Sequence, residues 1–321
     1  MHYNLRVSNA RISGHFILAL LCAPLLAGGA CEKKANKPND TGAMNALDKA
    51  AQGSSAPGVA AEGGLDTTPL SGVDVAKLEG EKLQTFYRLV GSLKSPCGKA
   101  HSLRTSFSSD TSCKRAPFAV RYVVALLEDE APETAVREEY TKKYEKTGAP
   151  VKLDVSKAPH IGNDDARIKL VEFFDYECPH CAAFKPGMEQ VIADKTGQVA
   201  AYFLMFPIES KHPDSRSAAQ AAIAASQLGK FKEMHDKLFE EMPRHNRDSV
   251  MGYAKALGLD AAAFQKAYEA ASPQVTSDLK QGEQAGVDST PTLFFNDRKY
   301  EGPMHPKYIE MWIDEELAVN R

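Results

Sequence analysis

A strand, a Cys-x-x-Cys and a helix in immediate succession constrain this chain more than any other feature. Residues Ile168 to Phe174 are a β-type apolar run, and Cys178-Pro179-His180-Cys181 follows after three residues. A helical pattern then runs from Ala182 to Ala193, with Pro186 as an expected kink. The near-continuous apolar character of the run fits a strand covered on both faces. This order sets Cys178 at a helix N-terminus, where unpaired backbone N–H groups and the macrodipole favour an anion. A thiol so placed has a lowered pKa, and its thiolate is the reactive species. The imidazole of His180 can donate toward that thiolate and add to the effect. The spacing therefore predicts a dithiol that opens and closes a disulfide.

The remaining cysteines bear on the compartment. Of six in 321 residues, Cys22 and Cys31 lie near the N-terminus and Cys97 and Cys113 lie mid-chain. Arg6 and Arg11 precede a charge-free stretch, Ile12 to Ala30, that ends in small residues. A basic start, a short apolar centre and a small-residue exit describe a secretory signal over 1–30. Pro24 and the Gly28-Gly29 pair count against a spanning helix. Leu25 to Cys31 resembles a bacterial lipoprotein signal, which implies lipidation of Cys31 and a membrane anchor, with Gly28 standing where that pattern has Leu. Cleavage after Ala30 without lipidation fits as well. If Cys22 leaves with the signal and Cys31 is taken up by lipidation, four cysteines remain (Cys97, Cys113, Cys178 and Cys181), an even number suited to an oxidising, extracytoplasmic compartment. A net charge of −3 leaves no basic surplus for phosphates, so nucleic acid is excluded as a partner.

Residues 31–72 are rich in Gly, Ala, Pro, Ser, Asn and Lys and read as a flexible tether. Residues 73–149 carry helical periodicity. Phe86, Leu89, Val90 and Leu93 share one face, Phe118 to Leu127 is apolar enough for a buried helix, and a third helix opens at Pro132 with Val136, Tyr140 and Tyr144 aligned. Cys97 and Cys113 enclose residues 98–112, fifteen in all. A disulfide there is expected to stabilise by about 3 kcal/mol through loop closure. With His101 the pair leaves zinc one ligand short of its usual four.

From residue 150 on, Val151 to Val155 alternates like a strand and Val199 to Phe206 reads as a buried one. Ser215 to Gly286 is a helical tract punctuated by Gly229, Pro243, Gly258 and Pro273, which predicts four or five short helices. Thr290-Pro291, a strand at Thr292 to Phe295, a turn at Asn296-Asp297, a strand at Arg298 to Tyr300 and a helix from Pro306 to Leu317 complete the chain. This α/β succession is that of a thioredoxin fold over 150–321, with a helical domain inserted at about 213–287 and an all-α segment in front.

Glu172 with Cys178-Pro179-His180-Cys181, the tract around Gly229-Lys230-Phe231 and Met234-His235-Asp236, and Thr290-Pro291-Thr292 occur in the order of the DsbA-type disulfide-bond oxidoreductases. From Val151 to Leu317 the chain resembles that family. The resemblance implies an exposed nucleophile at Cys178 and a buried resolving partner at Cys181. It also implies a cis bond at Thr290-Pro291 that presents the backbone of residue 290 to an extended substrate, and a proton role for Glu172 toward Cys181. Pro179-His180 is the dipeptide of the oxidant, while Thr290 also matches isomerases, so both directions of electron flow stay open. The implied partners are exported proteins with free thiols and a membrane reoxidant of the DsbB or vitamin K epoxide reductase type. No cofactor is implied, because the dithiol carries the electrons. Two readings of other classes remain: a metal module built on Cys178, His180 and Cys181, and a peptide-binding scaffold without redox activity. His160, His212, His235, His245 and His305 are expected to be structural or solvated.

Overall fold

A computed structural model describes residues 64–146 and 148–319, which belong to one compact unit, Gly63–Arg321. The expected signal, Cys22, the lipidation residue Cys31 and most of the tether lie outside the described residues.

The first layer is helical: α1 Glu81–Ser92, α2 Leu103–Ser108, α3 Ala116–Glu128 and α4 Glu133–Tyr140, the last continued by a π-helical turn at Thr141–Glu145. Phe86, Leu89 and Val90 of α1 and Val120, Val123 and Leu127 of α3 are buried in a common core with Val136 and Tyr140. The short α2 was not foreseen; Ser102 caps it by accepting the Thr105 N–H. Cys97 and Cys113 are joined by a disulfide with Cα atoms 5.7 Å apart, tying the loop that carries α2 back to the start of α3. The tether expected to run to residue 72 ends earlier. Leu70 is buried in the helical core, and the Arg104 guanidinium donates to the carbonyls of Asp66 and Thr68. Composition alone does not reveal that a single apolar side chain and one arginine suffice to hold such a segment down.

The second layer is a five-stranded sheet of order β1-β3-β2-β4-β5, built from β1 His160–Ile161, β2 Ile168–Phe174, β3 Val199–Met205, β4 Thr292–Phe295 and β5 Arg298–Lys299. β2 and β3 are parallel, and the other pairs are antiparallel. Between β2 and β3 runs α5, Pro179–Asp194. Between β3 and β4 are α6 Ser215–Gln227, α7 Phe231–Glu240, α8 Arg247–Ala256 and α9 Ala261–Gln284, and α10 Pro306–Val319 closes the chain. This is the thioredoxin fold with a helical insertion. The central β2 is covered on both faces: Ile168, Leu170 and Phe174 enter one core and Val171 and Phe173 the other.

Two local expectations fail for physical reasons. Val151 to Val155 is not a strand. Its alternation is real, since Leu153 is buried, but Gln281 of α9 takes both the N–H and the C=O of Asp154 in place of a neighbouring strand. Pro273 does not break the tract; it sits inside the 24-residue α9. That helix lies close on the sheet through Gly282, where a Cβ would stand 2.6 Å from the Phe206 ring.

The helical layer meets the second layer at α10. Ile309 and Ile313 belong to the sheet's core, while Tyr308 belongs to the helical one. Beside it, Arg115 pairs with Glu315 at 2.7 Å and Glu316 at 3.1 Å. Lys143 pairs with Glu315 at 3.0 Å and stands 3.5 Å over the Trp312 ring.

Candidate active site

The end of β2 hands the chain to α5 through Asp175-Tyr176-Glu177. Cys178 is the residue before the first helical turn and has extended backbone angles, and Pro179 opens the helix. Pro suits that position because its missing N–H would have no intrahelical partner there. The helical N–H groups next in line, those of His180 and Cys181, therefore turn toward the Cys178 sulfur.

Cys178 and Cys181 are both free thiols. As a thiolate, Cys178 accepts first from the Cys181 thiol, then from the Thr290 hydroxyl and from the backbone N–H groups of Cys181 and His180. Together these outweigh burial and bring its pKa down to about 4. The Thr290 hydroxyl is buried and unpaired, so it is available to the sulfur. Cys181 behaves oppositely. Burial, its bond to Cys178 and the charge of Glu172 push its thiol far above the usual range. One sulfur is thus held as an anion and the other as a thiol.

The expectation of an exposed nucleophile is corrected. Cys178 is 5% exposed and Cys181 1%, because the loop of Thr290-Pro291 lies against Cys178. That peptide bond is cis, and the Thr290 carbonyl accepts the Cys178 thiol at 3.4 Å. The surface above the sulfur is left to Pro179 and His180, both exposed. The expected imidazole donor is also corrected: His180 reaches the thiolate through its backbone N–H, since the helix start aims the main chain at the sulfur.

Glu172 sits on β2 opposite Phe203 of β3 and Leu293 of β4, buried and with no ion-pair partner among the described residues. Burial, with the nearby Glu189 carboxylate, raises its pKa to about 8, so it holds a proton at neutral pH. It lines a cavity of about 350 Å³ together with Met188, Phe203 and His235 and the charged Lys185, Glu189 and Lys232. His235 is no solvated histidine. Packed among Phe174, Phe203, Phe231 and Phe239 and hydrogen-bonded to the Tyr176 hydroxyl at 3.0 Å, it is held neutral, with its pKa lowered to about 3 by burial.

Sequence reasoning missed the carboxylates between β2 and Cys178. Asp175 accepts the Glu177 N–H at 2.8 Å, the Ile208 N–H at 2.8 Å and His212 Nδ1 at 2.7 Å. Glu177 accepts the Asp214 N–H at 3.2 Å and faces His245 Nδ1 at 3.3 Å. Two acidic residues beside a redox cysteine were the available signal; their histidine partners, 37 and 68 positions away by number (212 less 175, 245 less 177), gave none. Among the described residues no group of three or more His, Cys, Asp or Glu side chains is arranged to hold a metal ion.

Solved structures of similar shape include BdbD from Bacillus subtilis, at 27% identity and a TM-score of 0.46 over 53% of this chain and 97% of that one. A thioredoxin-like oxidoreductase from Silicibacter pomeroyi matches at 29% identity and 0.44 over 49% and 91%. Among curated proteins, the Na(+)/H(+) antiporter NhaA 3 of Salinispora tropica is 32% identical over 144 residues, 44% of this chain and 22% of the antiporter. A second antiporter, NhaA 1 of Salinispora arenicola, is 32% identical over 162 residues, a quarter of its length. The chain thus spans about a quarter of the curated relatives it matches. The thioredoxin family model matches residues 154–315, which is 162 of the 321 residues; the chain belongs to the thioredoxin family.

Proposed function

We propose that the chain is an exported thiol–disulfide oxidoreductase of the DsbA type that oxidises the thiols of other exported proteins. The observation that carries this reading is the stabilised Cys178 thiolate. Exchange equilibria follow the relative stability of thiolate and disulfide, so a thiolate well supplied with hydrogen bonds makes the Cys178–Cys181 disulfide a strong oxidant.

In this reading a substrate thiolate attacks Cys178 of the disulfide, forming a mixed disulfide and releasing Cys181. The second substrate thiolate attacks the substrate sulfur, closes the substrate disulfide and leaves Cys178 as a thiolate. Two electrons have moved to the protein. Cys181 takes up a proton as it leaves, and Glu172, protonated and buried nearby, supplies it and is recharged from solvent. The Thr290 backbone receives the extended substrate. Reoxidation falls to a quinone-coupled membrane partner of the DsbB or vitamin K epoxide reductase type, an anchor at Cys31 keeps the protein near it, and no cofactor is needed.

The measured potential of the Cys178/Cys181 couple tests the direction. A value near about −120 mV supports the oxidant, and one near about −270 mV, that of thioredoxin, overturns it in favour of a reductase or isomerase. Stoichiometric metal retained by the reduced protein would favour the Cys178, His180, Cys181 metal module instead. Loss of exchange in Cys178→Ser together with trapped mixed disulfides in Cys181→Ser is the expected result; undiminished function of Cys178→Ser would leave only a peptide-binding scaffold.

A further inference from the structure

Two imidazole–carboxylate pairs, each with a buried carboxylate, flank the residues that deliver Cys178. Asp175 leaves β2 with its side chain fully buried. One of its oxygens accepts the Glu177 N–H two residues on, an Asx-type turn. The other accepts the Ile208 N–H and so is an acceptor; His212 Nδ1, at 2.7 Å from it, must then be the donor. The Asp175 carbonyl in turn accepts the Cys178 N–H at 3.1 Å. His212 lies on the segment between β3 and α6, and its own carbonyl accepts the Ser215 hydroxyl at the start of α6.

On the other side, His245 comes from the loop between α7 and α8 and is 0% exposed. Its Nε2 meets the Leu238 carbonyl at 2.8 Å. A carbonyl only accepts, so Nε2 carries a hydrogen. Nδ1 then faces Glu177 across 3.3 Å and finds no hydrogen-bond partner, so the Glu177 carboxylate is the group placed to answer it. Glu177 is also fixed by the Asp214 N–H at the entry to α6.

Resting on the reading of Cys178 as the nucleophile, we infer that His212 and His245, acting through Asp175 and Glu177, are positioning residues that let the helical insertion fix the loop Asp175–Glu177 and thereby the acidity of Cys178. Beside the Cys181 thiol and the Thr290 hydroxyl, the thiolate is stabilised by the N–H groups of Cys181 and His180 pointing at its sulfur. Those groups hold their aim only while the loop that enters α5 is held in register. Removing the His212 imidazole leaves the buried Asp175 carboxylate short of a donor, and the loop must move to recover one.

The test compares the reduced full chain with His212→Leu and His212→Asn, following thiolate absorbance against pH and the potential against glutathione. His212→Leu is expected to raise the Cys178 titration by about one unit, a tenfold fall in thiolate at a given pH below it, and to make the couple less oxidising. His212→Asn, whose amide N–H stands where Nδ1 does, is expected to restore most of both. Parent-like titration and potential in both variants, with only thermal stability lowered, overturn the inference. Should His212→Leu not fold, His245→Gln carries the same expectation, since it keeps the Leu238 bond and loses the Glu177 pair. A parent protein that exchanges no disulfides would sink the oxidoreductase reading, while the titration comparison would still decide whether the histidines position Cys178.

Discussion

At Cys178 a single sulfur collects contacts from three sources: its partner thiol, the first turn of its own helix and a residue 112 positions later, Thr290. The Thr290 hydroxyl is the easiest of these to remove. Thr290→Val keeps the shape and the carbonyl, and is expected to raise the Cys178 titration by up to about one unit, the equivalent of one hydrogen bond. Thiolate absorbance against pH measures it, and an unchanged titration would show that the hydroxyl does not reach the sulfur. Glu172 gives a prediction of opposite sign. Its folded pKa is about 8 against an ordinary 4.5, so the native state binds more protons than the unfolded one between those values, and stability falls as pH rises through that window. Asp278, raised to about 7 by burial, acts in the same direction. Glu172→Gln should therefore flatten the decline in denaturation midpoint from about pH 4.5 to 8, with a gain on the order of 4 kcal/mol at the upper end. It should also slow the step in which Cys181 leaves the disulfide, because the proton donor is gone.

Among the elements, α5 and the helical layer carry separable roles. The strand–Cys-x-x-Cys–helix order was legible because the apolar run of β2 and the helical spacing of α5 are local patterns that any fold must respect. The same holds for the Cys97–Cys113 pairing, where two cysteines within a short helical segment had only one another as partner. Replacing both by Ala is expected to cost about 3 kcal/mol in chemical denaturation and to leave the potential of the Cys178/Cys181 couple unchanged; a shifted potential would link the two centres. Val151–Val155 and Pro273 show the limit of local reading. The first has a strand's alternation but finds a helix side chain rather than a strand beside it, and the second loses one backbone bond that the packing of α9 outweighs.

For the whole molecule, α10 is shared by two cores, and the charges beside it are buried with it. Glu315 is 1% exposed and serves Arg115, Lys143 and the Tyr144 hydroxyl at 2.9 Å. Burial already holds the Lys143 pKa below its usual value. Glu315→Leu leaves that ammonium buried without its main counter-charge, and should lower stability by about 3–5 kcal/mol in denaturant unfolding. A loss below about 1 kcal/mol would mean that the two layers are held by their apolar contacts alone. The sequence by itself determined the fold class, the dithiol and its place at a helix start, since periodicity, turn chemistry and cysteine spacing act over a few residues. Tertiary structure alone decided that Cys178 is covered, that His180 serves it through the backbone, and that Asp175 and Glu177 answer to His212 and His245. Those relations join residues far apart in the chain, and only the closed packing of sheet, insertion and helical layer brings them within hydrogen-bond reach.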